Sequence, residues 1–242
     1  MSTGLTPIRR RRGLESVSRA LAVLTALFLV GIVVLVLVDR SSNTSSSNGG
    51  TGSGVAATQA RSLPSFTRVD LVGANNVVVR VGGQQSVIVH ADGNLLGRVT
   101  TQVSSGSLVI GNTPGTLDAK SPMFVAVTVP SLDVLTVEGS GNISVARISS
   151  PSLTVRLPGS GTIRATGTTA RLDVAIGGSG TALLSRLIAR DATASIDGSG
   201  SIVLTATHSL DATISGSGTI LYTGNPAQLT KSVTGSGTIS GE

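Results

Sequence analysis

The tripeptide Gly-Ser-Gly recurs along the second half of the chain and suggests two kinds of chemistry. A glycine-rich turn can cradle phosphate where it opens a helix within G-x-G-x-x-G or G-x-x-x-x-G-K-[ST]. A serine nucleophile on a strand-to-helix turn needs G-x-S-x-G. None of these patterns occurs, and the copies in the second half each lead into an alternating apolar pattern that is typical of a strand. The sequence therefore disfavours nucleotide binding and serine hydrolysis.

A pair of carboxylates is the stronger catalytic candidate. Asp173 and Asp211 occupy the same place in two repeats, and the repeat between them has Thr193 there. Two such positions in stacked strands are about 10 Å apart, at the upper edge of the roughly 6.5–9.5 Å window of inverting glycosidases. The alternation also keeps like charges from stacking. We expect no catalytic residue, and the alternative is a polysaccharide hydrolase or lyase that uses these two carboxylates.

Metal and cofactor chemistry has little support. The chain has no Cys, which excludes thiolate ligands, thiol nucleophiles and disulfides. Its two histidines, His90 and His208, have no obvious Asp and Ser partners in the sequence. Calcium-binding β-rolls place an Asp at a fixed position in each glycine-rich repeat, whereas here only Asp197 adjoins a Gly-Ser-Gly copy. We predict no metal and no cofactor.

The spacing of Gly-Ser-Gly indicates a repeating fold. Six copies follow one another at intervals of 20, 19, 20, 18 and 19 residues. Their first glycines are Gly139, Gly159, Gly178, Gly198, Gly216 and Gly235. A fixed period of this length is the signature of a repeat architecture, and it is too short for a propeller blade of about 40 residues. One copy therefore reads as one corner of a coil.

Apolar residues recur at fixed distances from each corner, and we expect them to face a core. Two residues before the first glycine stand Val137, Leu157, Ile176, Ile196, Ile214 and Val233. Two residues after the second glycine stand Ile143, Ile163, Ala182, Ile202, Ile220 and Ile239. The last copy has Lys231 at a further inward position, which fits a terminal coil with an uncovered end. The predicted fold is all-β, a right-handed parallel β-helix with about 19 residues per coil.

Residues 61–130 alternate in the same way but without the period, with turns at Gly82-Gly83, Asp92-Gly93 and Ser105-Gly106. We interpret them as irregular opening coils or hairpins of the same solenoid. The predicted β-helix domain therefore covers residues 61–242.

The N-terminal region predicts a membrane anchor. Residues 20–38 carry no charge, and as a helix they would be roughly 28 Å long, enough to cross the bilayer core. The arginines of the basic tail 1–19 outweigh Arg40 on the other side, so the N-terminus should be cytoplasmic and the domain extracytoplasmic. An uncleaved signal anchor is predicted, with a cleaved signal as the alternative. Residues 39–60 are rich in Ser, Gly and Asn and read as a flexible tether.

Charge and composition argue against nucleic acid. The net charge is +6, but most of the excess lies in the tail, and the domain is close to neutral. Aromatic residues make up only 2% of the chain, so platforms for stacking bases are nearly absent. We expect no nucleic-acid partner.

Three stretches carry a family resemblance: FTRVDLVGANNVVVRVGG, VAVTVPSLDVLTVEGSGNISV and the serial GSGTI copies. Over about residues 66–240 they resemble the bacterial "putative auto-transporter adhesin, head GIN domain" family. The resemblance implies a β-helix outside a bacterial cell and a role in adhesion, without a catalytic residue set. The chain departs from autotransporters in having a predicted anchor and tether and no outer-membrane barrel.

These observations together predict a single-pass membrane protein. Its extracytoplasmic β-helix would act as a non-catalytic adhesion, binding or structural module at the cell envelope. Envelope polysaccharide or a protein would be its partner. The alternatives are the hydrolase or lyase above and a self-assembling surface protein that forms homo-oligomers through the ends of the solenoid.

Overall fold

The structure, a computed structural model, describes residues 50–242. Apart from one 3₁₀ turn at Leu96–Arg98, its regular elements are strands. The opening strands are β1 (Gly50–Thr51), β2 (Ala56–Arg61), β3 (Arg68–Leu71), β4 (Asn76–Val81), β5 (Ser86–Asp92), β6 (Val99–Ser104), β7 (Ser107–Asn112), β8 (Leu117–Asp118), β9 (Phe124–Val129) and β10 (Val134–Val137). The repeat strands are β11 (Asn142–Leu157), β12 (Thr162–Ile176), β13 (Thr181–Gly198), β14 (Ser201–Gly216), β15 (Thr219–Thr223), β16 (Gln228–Gly235) and β17 (Thr238–Gly241).

Strands β11 to β14 are the central coils of a parallel β-solenoid of about five turns. Each pairs in parallel with the next, and the paired residues are one sequence period apart, as in Thr162 with Thr181. The period read from Gly-Ser-Gly is therefore the coil length, and the predicted parallel β-helix is confirmed. Its right-handedness stays a prediction.

Register shifts divide the long strands into segments, and we call the segments on either side of the corners the two walls of the sheet. The first wall follows the corners and contains β2, β5, β9, β4, the initial segments of β11 to β14, β15 and β17. The second wall precedes the corners and contains β6, β7, β3, β10, the final segments of β11 to β14, and β16. Register shifts lie between the two walls, for example at Val145/Ile148 in β11, and β13 has two of them with a short paired segment in between.

The core lies between the walls and is built from Val, Ile, Leu and Ala. Val137, Ile143 and Ile202 are fully buried, like almost all the positions predicted to face inward. The exceptions belong to the last coil, where Val233 is 44% exposed and Ile239 is half-buried. Lys231 is exposed there, with its Nζ 4.7 Å from the centre of the Tyr222 ring. The prediction of an uncovered terminal coil is confirmed for the described residues.

The opening end of the solenoid is closed by antiparallel strands. β6 pairs antiparallel with β7 on the second wall, while β5 pairs antiparallel with both β9 and β2 on the first. The opening region is thus continuous with the coils, and it contains hairpin-like pairs as expected.

Residues 50–60, which we expected to belong to the tether 39–60, instead form ordered strands. β1 pairs with β8, and all six residues of β2 pair with β5. The polar composition of residues 50–60 does not indicate strands. An edge strand can still form there, because its backbone N–H and C=O groups bond to a strand distant in sequence without burying much apolar area. The domain therefore begins at residue 50 at the latest.

The predicted anchor at residues 20–38 lies outside the described residues, as do the basic tail and the start of the tether. Within residues 50–242, no helix has the length and apolar character needed to cross a membrane.

Candidate functional site

The Gly-Ser-Gly corners have few amides free to bind an anion. The residue after the second glycine donates its N–H to the preceding coil, as in Thr219 to Gly200 at 3.0 Å. The serine amide does the same in four of the copies, for example Ser217 to Gly198 at 3.0 Å. A phosphate cradle needs converging free N–H groups. These corners use theirs to join coils.

The second glycine of each corner is required by the contact between coils. A Cβ at Gly200 would lie 2.5 Å from Ile176 Cγ2, and a Cβ at Gly218 would lie 2.6 Å from Ile196 Cγ2. Both distances are far below van der Waals contact. The second glycine therefore makes room for the inward side chain of the preceding coil, while the serine between the glycines stays exposed.

One further corner was not predicted, because its sequence is Gly73-Ala74-Asn75 and not Gly-Ser-Gly. Asn142 donates its backbone N–H to Asn75 O, the bond that Thr162 makes to Gly141 between two Gly-Ser-Gly corners, while Gly73 O accepts from Gly141 where the later corners use the serine amide. Asn75 is 1% exposed and donates from Nδ2 to Gly111 O at 3.2 Å and Asn112 Oδ1 at 3.0 Å. The apolar residue that follows the corner, Val77, was the signal that could have found it.

The second wall carries two shallow grooves. The larger has a volume of about 600 Å³ and crosses β11, β12, β13, β14 and β16. The other, about 510 Å³, lies over β3, β7 and β10 and is lined by Arg68, Asp70 and Arg156. The polar groups of both grooves come from the outward positions of successive coils, and the buried Leu153, Leu172, Ala192 and Leu210 also border the larger groove.

The larger groove contains the predicted carboxylate pair. Asp173, Thr193 and Asp211 are in register on β12, β13 and β14, which confirms that they occupy equivalent places. All three are exposed. No salt bridge or side-chain hydrogen bond with another described residue involves either carboxylate of the pair. The two are thus held about 10 Å apart by two rungs of the sheet and are free to meet a ligand.

A third carboxylate in this groove, Asp191, has partners that sequence reasoning missed. His208 Nδ1 lies 2.6 Å from Asp191 Oδ1, and Ser209 Oγ donates to the same oxygen at 2.7 Å. The hydrogen bonds from Ser209 and then His208 lower the pKa of the Asp191 carboxyl. Both partners follow Asp191 by about one coil, so the repeat period was the available signal. The serine binds the carboxylate and not the imidazole, which is not the order of a Ser-His-Asp triad.

The remaining candidates have structural surroundings. His90 stacks on Phe124 with ring centroids 4.2 Å apart, and burial lowers its pKa. Asp197 is exposed beside its corner. In the part of the chain that the structure describes, no three His, Cys, Asp or Glu side chains are grouped closely enough to hold a metal ion.

Asp92 is the fully buried carboxylate of the opening region. It accepts hydrogen bonds from the amides of Gly54 at 2.9 Å and Lys120 at 2.8 Å, and from Ser121 Oγ at 2.7 Å. Burial by itself raises the pKa of this carboxyl, but the bonds from Ser121, Lys120 and Gly54 outweigh it and the pKa is lowered. Asp92 thereby fastens the segment around Gly54 to the solenoid.

The fold recurs in crystal structures of other bacterial proteins. A "putative adhesin" from Bacteroides fragilis aligns with a TM-score of 0.67 at 22% identity, covering 80% of this chain and 100% of the other. A "putative lipid binding protein" and a "putative adhesin" from Parabacteroides distasonis align with TM-scores of 0.52 and 0.54 at 24% and 20% identity. Each covers 81% of this chain and 100% of the other. At these identities the likeness concerns the fold alone.

The family model described as "putative auto-transporter adhesin, head GIN domain" matches residues 65–226. No curated protein matches the chain. The family match covers most of the solenoid, including the Gly73 corner and five of the six Gly-Ser-Gly corners. Because this match spans more than half of the chain, the chain belongs to the putative auto-transporter adhesin, head GIN domain family.

Proposed function

We propose that the protein is a membrane-anchored binding module of the bacterial cell envelope and not an enzyme. A signal anchor at residues 20–38 with a cytoplasmic N-terminus would display the right-handed β-helix outside the cell. Its partner would be an envelope polysaccharide or a protein. Family membership and the adhesin names of the structural neighbours support the adhesive part of this proposal.

The larger groove is the observation that carries the proposal. Its outward side chains repeat from coil to coil at about 4.8 Å, so a polymer that lies along the solenoid meets similar groups several times. Thr154, Asp173, Thr193, Asp211 and Thr230 form one such row. Hydroxyls and carboxylates can accept hydrogen bonds from sugar hydroxyls, and repeated weak contacts give avidity without a deep pocket.

Binding of the full chain in detergent to isolated cell-wall material tests the proposal. A matched pair of variants locates the contact: Thr193→Tyr obstructs the groove, while Thr219→Tyr adds the same ring to the first wall. We expect excess binding over an unrelated β-solenoid, weakened by Thr193→Tyr and retained by Thr219→Tyr. Binding equal to that of the unrelated solenoid would remove the adhesive function.

An envelope polysaccharide hydrolase or lyase is the second candidate, because Asp173 and Asp211 flank Thr193 in one groove. This candidate requires product release from cell-wall glycan that stops in both Asp173→Asn and Asp211→Asn. Binding without turnover in the unmodified chain would leave the adhesive function as the better one.

Self-assembly through the ends is a third candidate. β16 is exposed along its whole length and has β14 as its ladder partner, so a second copy could extend the sheet there. Lys231 opposes this, because a charged side chain on an edge strand resists pairing. Concentration-dependent sedimentation that strengthens in Lys231→Val would support end-to-end assembly, and a constant monomer mass in both would rule it out.

A further inference from the structure

The two walls of the solenoid differ in their charge. Second-wall strands carry five carboxylates and five basic side chains: Asp70, Asp173, Asp191, Asp197 and Asp211, with Arg68, Arg156, Arg171, Arg190 and Lys231. In the described first-wall strands the carboxylate is Asp92, which is buried and bonded as above. Arginines therefore face outward from the first wall without a carboxylate beside them.

Four of these arginines lie on neighbouring coils. Arg80 pairs with Ala146, next to Arg147 at the register shift in β11. Arg164 pairs with Ser144, and Arg186 pairs with Thr166. The four occupy successive strands β4, β11, β12 and β13, a span of roughly 14 Å at about 4.8 Å per rung. We call Arg80, Arg147, Arg164 and Arg186 the arginine patch.

The patch has no internal charge partner. Ion pairs within residues 50–242 join Arg190 and His208 to Asp191, all on the second wall. Arg147, Arg164 and Arg186 are exposed, and Arg80 is half-buried. A further first-wall arginine, Arg61, is engaged with the carbonyl of Leu96 at 2.9 Å. Arg80 and Arg164 lie on the first wall, and Arg147 and Arg186 lie at the register shifts that end it. The four guanidinium groups thus create a positive field that an external anion can balance.

Apolar side chains lie beside the patch on the same outward row. Val78, Ser144, Arg164, Leu183, Val203 and Leu221 are in register from β4 to β15. Val78 is 49% exposed, and the last three are half-buried. Arginine beside small aliphatic groups suits the boundary of a lipid bilayer, where guanidinium binds phosphate and apolar atoms meet the acyl region.

The length of chain before the domain also favours a bilayer. Between the predicted span and the first described strand lie residues 39–49, eleven residues of Ser, Asn, Thr and Gly with Asp39 and Arg40. Eleven residues span at most roughly 40 Å even when fully extended. The first described strand, β1, pairs with β8, and the next, β2, is the edge strand of the first wall. A membrane anchor at residues 20–38 would thus limit the distance between the domain and the membrane.

We propose that the first wall docks through the arginine patch onto anionic phospholipid headgroups of the membrane that anchors the chain. The inference rests on the proposed anchoring function. Docking in this orientation would turn the grooved second wall away from the membrane, toward ligands in the envelope.

Single cysteines in this Cys-free chain test the orientation. A fluorophore at Ser201→Cys reports the first wall, and one at Thr213→Cys reports the second wall of the same strand, β14. Full-length protein is inserted into vesicles of phosphatidylcholine, with or without phosphatidylglycerol, that carry a headgroup quencher. We expect stronger quenching at Ser201→Cys than at Thr213→Cys in the anionic vesicles. That difference should fall in 1 M salt, where the Debye length shrinks to about 3 Å.

Two charge variants decide whether the patch is responsible. Arg164→Gln with Arg186→Gln should abolish the quenching difference, whereas Arg156→Gln with Arg171→Gln on the second wall removes the same charge and should leave it intact. Equal quenching of both probes, or equal effects of the two variants, would overturn the docking proposal. A third outcome would also overturn the proposal: quenching that does not depend on anionic lipid but falls when soluble polyphosphate is added. The patch would then bind a soluble polyanion and not the membrane.

Vesicle flotation separates this inference from the function on which it rests. Protein that floats with both vesicle types but shows no difference between the probes retains its anchor and loses the docking. Protein that floats with neither has no anchor, and both proposals fall.

Discussion

The opening region and the repeated coils build one solenoid by different means. In the coils each residue is paired with a counterpart one period away, and the contacts at successive corners are nearly the same. In the opening region the partners are distant and particular: Asn76 Oδ1 accepts a hydrogen bond from the side-chain Nδ2 of Asn142, 66 residues further along the chain. Asp92 accepts hydrogen bonds from the amide of Gly54, which precedes it in the chain, and from the amide of Lys120, which follows it. The comparison teaches that repetition stabilises the stack, while individual polar contacts close its end.

Gly200→Ala is expected to have the largest effect, because it forces a Cβ to 2.5 Å from Ile176 Cγ2 inside the stack. We expect a loss of about 3 kcal/mol in the free energy of unfolding, measured by urea denaturation. Gly97→Ala in the opening region is the control, since no atom would lie within 4 Å of its Cβ. Equal effects of the two would show that the coils are not packed as tightly as described.

Val137→Ala and Val233→Ala make the same change at equivalent places before the first and last Gly-Ser-Gly corners. Val137 is fully buried and Val233 is 44% exposed. Removing two methyl groups from the core should cost roughly 2 kcal/mol at Val137, and well under about 1 kcal/mol at Val233. Thermal unfolding of the two variants measures the difference. Similar losses would mean that the last coil is covered in solution.

Asn75→Gly converts the divergent corner toward the Gly-x-Gly form. It removes the bonds from Asn75 to Gly111 O and Asn112 Oδ1, so a buried carbonyl loses its side-chain donor. We expect a loss of about 1–2 kcal/mol in unfolding free energy, with Ser140→Ala near zero as the control. A stabilised Asn75→Gly variant would instead show that the two kinds of corner are interchangeable.

Asp92→Asn should have the most local effect. The lowered pKa means that the ionised carboxylate stabilises the fold above its ordinary pKa, and that this contribution is lost as pH falls through the folded value. Amide exchange at Gly54, Lys120 and Ser121 should therefore accelerate in acid, and at neutral pH in the variant. Asp191→Asn is the matched control, because its carboxylate has side-chain partners on an exposed groove. Unchanged exchange in Asp92→Asn would remove its fastening role.

The repeat could be predicted because parallel coils place equivalent residues side by side. Period, corner positions and inward side chains all follow from one alignment of Gly-Ser-Gly, and so does the register of Asp173 with Asp211. The alignment did not explain why the second glycine of each corner is required. The Ile176 methyl group that leaves no room for a Cβ at Gly200 belongs to the neighbouring coil.

The opening end could not be predicted in the same way. Antiparallel partners such as β2 and β5 share no repeat period. The sequence of residues 56–61 therefore does not indicate that they pair with residues 86–92. The arginine patch was hidden for a related reason: its charges cancel in the total for the domain and separate only when the two walls are known. Asp191 and His208 were within reach, because they lie about one coil apart.

The early strands also determine how the molecule would respond to mechanical force. A pull on the chain at Gly50 loads first the two-residue ladder of β1 with β8, and then β2 along the edge of β5. Stripping residues 50–61 would release at most roughly 40 Å of extended chain while the coils beyond stay stacked. Detachment of residues 50–61 would thus relieve a tensile load before the load reached the coils that form the grooves.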